Sequence, residues 1–153
     1  MSIVWQYLDK RSAAISALQD FSSMEFILSH TDEEIKTTRD KMTGISSPQI
    51  DGMPKAHNPQ ATEERIVKGV HEIDVLRERY RQAAEYMEWF KPAWEQLSED
   101  ERYVLETFYS KDNAYGSGTI YAIAERFHID RNAAYKRKNR ALDKLTVLLF
   151  GKS

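Results

Sequence analysis

Between Ile3 and Met42 the chain contains neither proline nor glycine, and apolar side chains return every seven residues, at Tyr7, Ala14, Phe21, Leu28, Ile35 and Met42. That period belongs to a helix that buries one seam, and Leu8, Ile15 and Leu18 widen it. At about 1.5 Å per residue a helix over this span is roughly 60 Å long. A helix so long and so striped is stable only with a partner along its length. The partner is legible from Ala61 onward, where Ile66, Val70, Ile73, Leu76, Tyr80, Ala84, Met87, Phe90, Trp94 and Leu97 recur at steps near three and four. The simplest arrangement is an antiparallel, coiled-coil-like hairpin over residues 1–97, and the same stripes could zip against another copy of the chain.

The two stripes are separated by TGISSPQIDGMPKAHNPQ, residues 43–60, in which Gly44, Pro48, Gly52, Pro54 and Pro59 deny helical continuity. It reads as a mobile crossing, since its single His57 and Asp51 bring no convergent set of chemical groups. Lys91 and Pro92 should kink or restart the second helix, because proline removes a hydrogen bond and crowds the preceding turn. Tyr86, Trp89, Phe90 and Trp94 surround that break, and helical spacing accounts for them as a local core. Ser98 followed by Glu101 has the form of a capping box. It opens a helix carrying Tyr103, Val104, Leu105, Phe108 and Tyr109, which SKDNAYGSG ends.

Beyond it, Thr119 can cap a short helix whose Ile120, Ile123, Ala124 and Phe127 form a buried stripe. His128, Ile129 and Asp130 follow as a tight turn, with Ile129 as apolar plug and Asp130 as cap of the next helix. Over Asp130 to Leu149, helical projection puts Ala134, Ala141, Leu142, Leu145, Leu148 and Leu149 on one side. Asn132, Tyr135, Lys136, Asn139 and Arg140 fall opposite. Arg131, Lys136, Arg137, Lys138, Arg140 and Lys144 outweigh Asp143 here, although the whole chain has a formal net charge of -2. The positive charge is local. Short helix, turn and basic helix form a helix-turn-helix, whose second helix can lie in a major groove.

The run AIAERFHIDRNAAYKRKNRALDKL resembles the promoter-reading fourth region of bacterial sigma factors. The resemblance rests on Ile123 and Ala124, the turn residue Ile129, the cap Asp130, and Arg140, Ala141 and Leu142 near the end of the helix. The segment SEDERYVLETFY sits where that domain keeps its preceding helix. There are two departures. His128 stands where the turn usually has glycine, so it must accept a turn conformation that favours glycine. Lys138 takes an often apolar position, so its charge must snorkel or find a carboxylate. The order of long helix, loop, long helix and sigma-like domain resembles small phage-encoded transcriptional regulators of the ArpU and RinA type.

The expected fold is therefore all-α, a long helical hairpin followed by a helix-turn-helix domain over residues 98–153. The expected function is sequence-specific binding of double-stranded DNA in transcriptional regulation, of the phage or prophage late-gene type. Base readout would fall to Arg131, Asn132, Ala133, Tyr135 and Lys136, and phosphate contacts to Arg137, Asn139, Arg140 and Lys144. The hairpin would supply a homo-oligomer, a dimer in the simplest case, or a surface facing RNA polymerase. Two other readings fit the same features: a phage small terminase subunit, and a helical protein-interaction scaffold that binds no DNA.

Catalytic chemistry finds little footing. With no cysteine there is no thiolate nucleophile or ligand, and His30, His57, His71 and His128 lack ligand spacing. Gly151, Lys152 and Ser153 imitate the end of a phosphate-binding loop, but Thr146 occupies the place of its first glycine. Glu63, Glu64, Glu72, Asp74 and Glu78 spread along a helix as a solvated face. No enzyme activity, metal or cofactor is expected. Neither a signal peptide nor a membrane span is legible, which places the protein in the cytoplasm of a bacterial host cell.

Overall fold

The computed structural model describes residues 8–44, 59–109 and 117–151, and all regular structure among them is α-helical. Five helices follow in order: α1 Lys10–Met42, α2 Pro59–Glu95, α3 Glu99–Tyr109, α4 Ser117–Phe127 and α5 Arg131–Phe150. No helix among the described residues is long and apolar enough to cross a membrane. Residues 45–58, most of the expected crossing, lie outside the described residues, as do Ile3 to Tyr7 and residues 110–116.

Local signals explain most of the helix ends. Helix α1 begins at Lys10, where Asp9 caps it: Ser12 donates its backbone N–H to Asp9 Oδ1 at 3.1 Å and its hydroxyl to Oδ2 at 2.8 Å. Those bonds from Ser12 hold the Asp9 carboxyl below its usual range. Leu8, expected on the seam, precedes the helix and is exposed. The second helix opens at Pro59, two residues before Ala61, at a place where the ring costs no intrahelical hydrogen bond. It then runs through Pro92 to Glu95 without restarting. The missing N–H costs one bond of the ladder, the one to the Glu88 carbonyl, and the helix ends three residues later. The new start comes at the capping box, where Ser98 N–H donates to Glu101 Oε1 and Glu101 N–H donates to Ser98 Oγ, both at 3.2 Å. Thr119 does not cap α4 but lies inside it, since the helix already begins at Ser117.

The chain divides into two compact units. One joins the N-terminal part of α1, up to Ser22, with everything from Tyr86 onward. Its larger core packs Ala14, Phe90, Ala93, Leu97, Leu105, Leu142 and Leu145, with Ile15, Leu18 and Phe21 against them. Of the aromatic group legible around Pro92, Tyr86, Phe90 and Trp94 belong to this core while Trp89 is exposed: the Phe90 ring lies 5.6 Å from Phe21, 5.3 Å from Tyr86 and 5.9 Å from Trp94. Tyr86 donates its hydroxyl to the Ala17 carbonyl, and burial, with Asp20 nearby, pushes that hydroxyl well above the usual tyrosine range. A second, smaller core of Val104, Ile120, Ile123 and Ala134 joins α3, α4 and α5.

The other unit runs from Ser23 to Glu85. Its buried positions include Thr31 and Thr38, whose hydroxyls donate to the carbonyls of Ile27 and Glu34 in their own helix. On α2 the sequence stripe needs correcting, for Ile66 and Tyr80, both expected on it, are exposed. Gly69 and Ala83 are buried where Val70 and Ala84 were expected, and Val70 is 48% exposed. The buried and half-buried positions Gly69, Ile73, Leu76 and Ala83 follow at steps of four, three and seven, the spacing of a coiled-coil seam. Small residues add little to an apolar pattern, which hid them. On the exposed side, Arg81 bridges Glu78 at 2.7 Å and Glu85 at 3.0 Å, so part of the acidic surface is internally paired.

Gly69 is small for a reason: a Cβ there would overlap Cγ and Sδ of Met42. Gly69→Ala is therefore expected to destabilise the protein, although alanine improves helix propensity by about 1 kcal/mol. Once Met42→Ala has emptied the space, the same change should stabilise by roughly that amount. Urea unfolding of the four members of this cycle checks the change of sign.

Candidate nucleic-acid interface

The turn between α4 and α5 is built on one backbone device. At the end of α4, His128 N–H donates to Glu125 O at 3.3 Å and Ile129 N–H donates to Ala124 O at 3.0 Å. These two bonds close a helix C-terminus when the residue after the last turn is left-handed, and His128 has φ 53. Ile129 then packs with Ala124 and Phe127 against the smaller core, as the plug position requires. Asp130, extended at φ -78 and ψ 170, accepts from Ala133 N–H at 2.6 Å and starts α5. His128→Gly should remove the left-handed penalty and raise stability by about 1 kcal/mol, whereas His128→Val should lower it. Thermal unfolding of both variants is the check.

Burial sorts the residues of α5. Ala134, Ala141, Leu142, Leu145 and Leu149 face the cores, but Leu148, expected with them, is 40% exposed. It lies about a hundred degrees round the helix from Leu149, off the centre of the buried side. Arg131, Asn132, Lys136, Arg137, Arg140 and Lys144 are exposed, and Ala133 is half-buried beside them. Asn132, Lys136 and Arg140 form the middle of the outward stripe, with Arg137 on its flank. Among the described residues, Lys136, Arg137 and Arg140 have no carboxylate within ion-pair distance. The Arg137 guanidinium lies 4.2 Å from the centre of the Phe127 ring.

The other expected contacts are engaged inside the protein. Tyr135 was placed opposite the buried side, yet its ring packs against the smaller core and meets Phe108 edge-on at 6.5 Å. Its hydrogen bond with Arg131 keeps that guanidinium still more firmly protonated, and Arg131 lies 5.8 Å from the rings of both Tyr121 and Tyr135. Asn139 accepts from Arg11 through Oδ1 at 2.8 Å. Lys144 pairs with Glu101 at 2.9 Å, which ties α5 to the capping box of α3. Burial would raise the Glu101 carboxyl, but the bonds from Lys144 and Ser98 outweigh it and hold the group below its usual range.

Among the described residues, Lys138 does not find a carboxylate. Its ammonium sits 4.4 Å from the centre of the Phe108 ring, 5.7 Å from Tyr135 and 5.9 Å from Tyr109. Ring faces supply the attraction that a carboxylate would, while burial, and then the charge of Arg11, lower the lysine pKa.

Three residues near this surface carried no signal in the sequence. Arg11 comes from α1, far away in the chain; Tyr121 is an exposed aromatic on α4; Arg126 stacks 4.5 Å from the centre of the Tyr103 ring. Among the described residues, no group of three or more histidine and acidic side chains is placed to hold a metal ion. No family model, curated protein or solved structure matches the chain.

Proposed function

We propose that the protein is a sequence-specific DNA-binding transcription regulator, of the phage or prophage late-gene type, that reads the major groove with α5. The observation that carries this reading is the outward stripe of Asn132, Lys136 and Arg140, flanked by Arg137, on a helix fixed by the His128 turn and the Asp130 cap. Asparagine can pair with an adenine edge, lysine with guanine, and arginine with phosphate. A helix carrying all three, with Ala133 near its start, can approach a groove closely. In this proposal the two long helices pair as a hairpin that makes a homodimer or faces RNA polymerase, and the protein acts in the cytoplasm of a bacterial host without catalysing a reaction.

Selection from random duplexes is expected to enrich one sequence. Lys136→Ala should then cost roughly 1 to 3 kcal/mol on that sequence and much less on unrelated duplexes. Enrichment of nothing, with Lys136→Ala binding as the parent does, overturns the reading and leaves a protein-interaction scaffold. Sedimentation separates the regulator from a small terminase subunit: a dimer supports the first and a closed ring the second.

A further inference from the structure

We infer that Arg11, at the start of α1, is a positioning residue of the DNA-reading surface, because its guanidinium spans Asn139 and Asp143 of α5. The inference rests on the reading proposed above and deepens it. Arg11 Nη2 donates to Asn139 Oδ1 at 2.8 Å, and Nη1 lies 3.7 Å from Asp143 Oδ1. A guanidinium has donors only, so it fixes which end of the Asn139 amide faces α1 and leaves Nδ2 directed elsewhere. Asn139 follows Asn132 by seven residues and Lys136 by three, so the three are neighbours on one side of α5. An amide held in one orientation can discriminate between base edges, whereas one free to flip presents donor and acceptor alike.

Asp143 supplies the second half of the argument. It is exposed on the same side of α5, where an unpaired carboxylate would repel phosphates. Arg11 offsets that charge. Its own place is fixed by the Asp9 cap on one side and by Ala14, fully buried in the larger core, on the other. An ion pair this exposed adds little to stability, so geometry and charge at the interface are what Arg11 contributes.

The test compares Arg11→Met, Arg11→Lys, Asn139→Ala and Asp143→Asn on the selected duplex and on its single-base variants. Arg11→Met should weaken binding a few-fold on every duplex and reduce the preference at one base pair by about 5- to 100-fold. Adding Asp143→Asn should restore the general affinity but not the preference. Arg11→Lys, which keeps the charge without the fork, should do the same. In the Asn139→Ala background Arg11→Met should no longer alter base preference. The proposal is overturned if Arg11→Met keeps the parent preference while Lys136→Ala loses it, because the reading then stands and Arg11 has no part in it. It is equally overturned if the preference lost in Arg11→Met is still lost to the same extent from an Asn139→Ala protein. Failure of the parent to select any duplex removes the reading itself.

Discussion

Phe90→Ala is expected to lower the unfolding free energy by about 3 to 5 kcal/mol. The ring is fully buried and touches partners from separate parts of the chain: Phe21 on α1, and Tyr86 and Trp94 on its own helix. Deleting it removes the transfer free energy of the side chain and opens a cavity, and helices anchored at both ends collapse only partly into such a space. Leu148→Ala removes a comparable apolar side chain from an exposed position and should cost well under half as much. Urea denaturation gives both values. Trp94 fluorescence should shift to the red in folded Phe90→Ala, since the indole loses the ring stacked on it. A cost below about 1 kcal/mol would mean that Phe90 is not at the centre of the core.

Features written in adjacent residues were legible: the Ser98 and Glu101 capping box, the Ile129 plug and the Asp130 cap all form as their local chemistry requires. The two caps depend on backbone groups within a few residues, so no distant partner can change them. The stripe of α1 was legible as well, but the packing of its first turns with α5 was not. Any apolar seam can in principle pack on any other, and nothing in Ala14, Ile15 or Leu18 says that they belong with Leu142 and Leu145. Such pairings come from the summed burial of many side chains, to which each residue contributes little.

The candidate interface was legible to a different degree. Charge and periodicity placed the exposed cations on α5, because helical projection needs only the sequence. Which of them are engaged depends on neighbours brought by other helices: Glu101 from α3 for Lys144, Arg11 from α1 for Asn139, and the aromatic pair Phe108 and Tyr109 from α3 for Lys138. Gly69 and Ala83 escaped for the opposite reason. Hydrophobic pattern weights large side chains, whereas a close helix contact is made by small ones.

The surface that remains open sets the expected response to salt. Arg137 and Arg140 are exposed, adjacent on the helix surface and unpaired with any carboxylate among the described residues. If each holds one phosphate, Arg137→Ala with Arg140→Ala removes two contacts, and each contact contributes about 0.9 to the slope of log K against log salt. The double variant should therefore flatten that slope by about 1.8 and bind roughly two orders of magnitude more weakly near 50 mM salt, but only about one order more weakly near 200 mM. The loss should be nearly the same on the selected duplex and on an unrelated one, because phosphates carry no sequence. Fluorescence anisotropy over a salt series on both duplexes measures all of this at once. A parallel downward shift with unchanged slope would mean that the two arginines act through folding or base contacts, and an effect confined to the selected duplex would move them from holding the backbone to reading the bases.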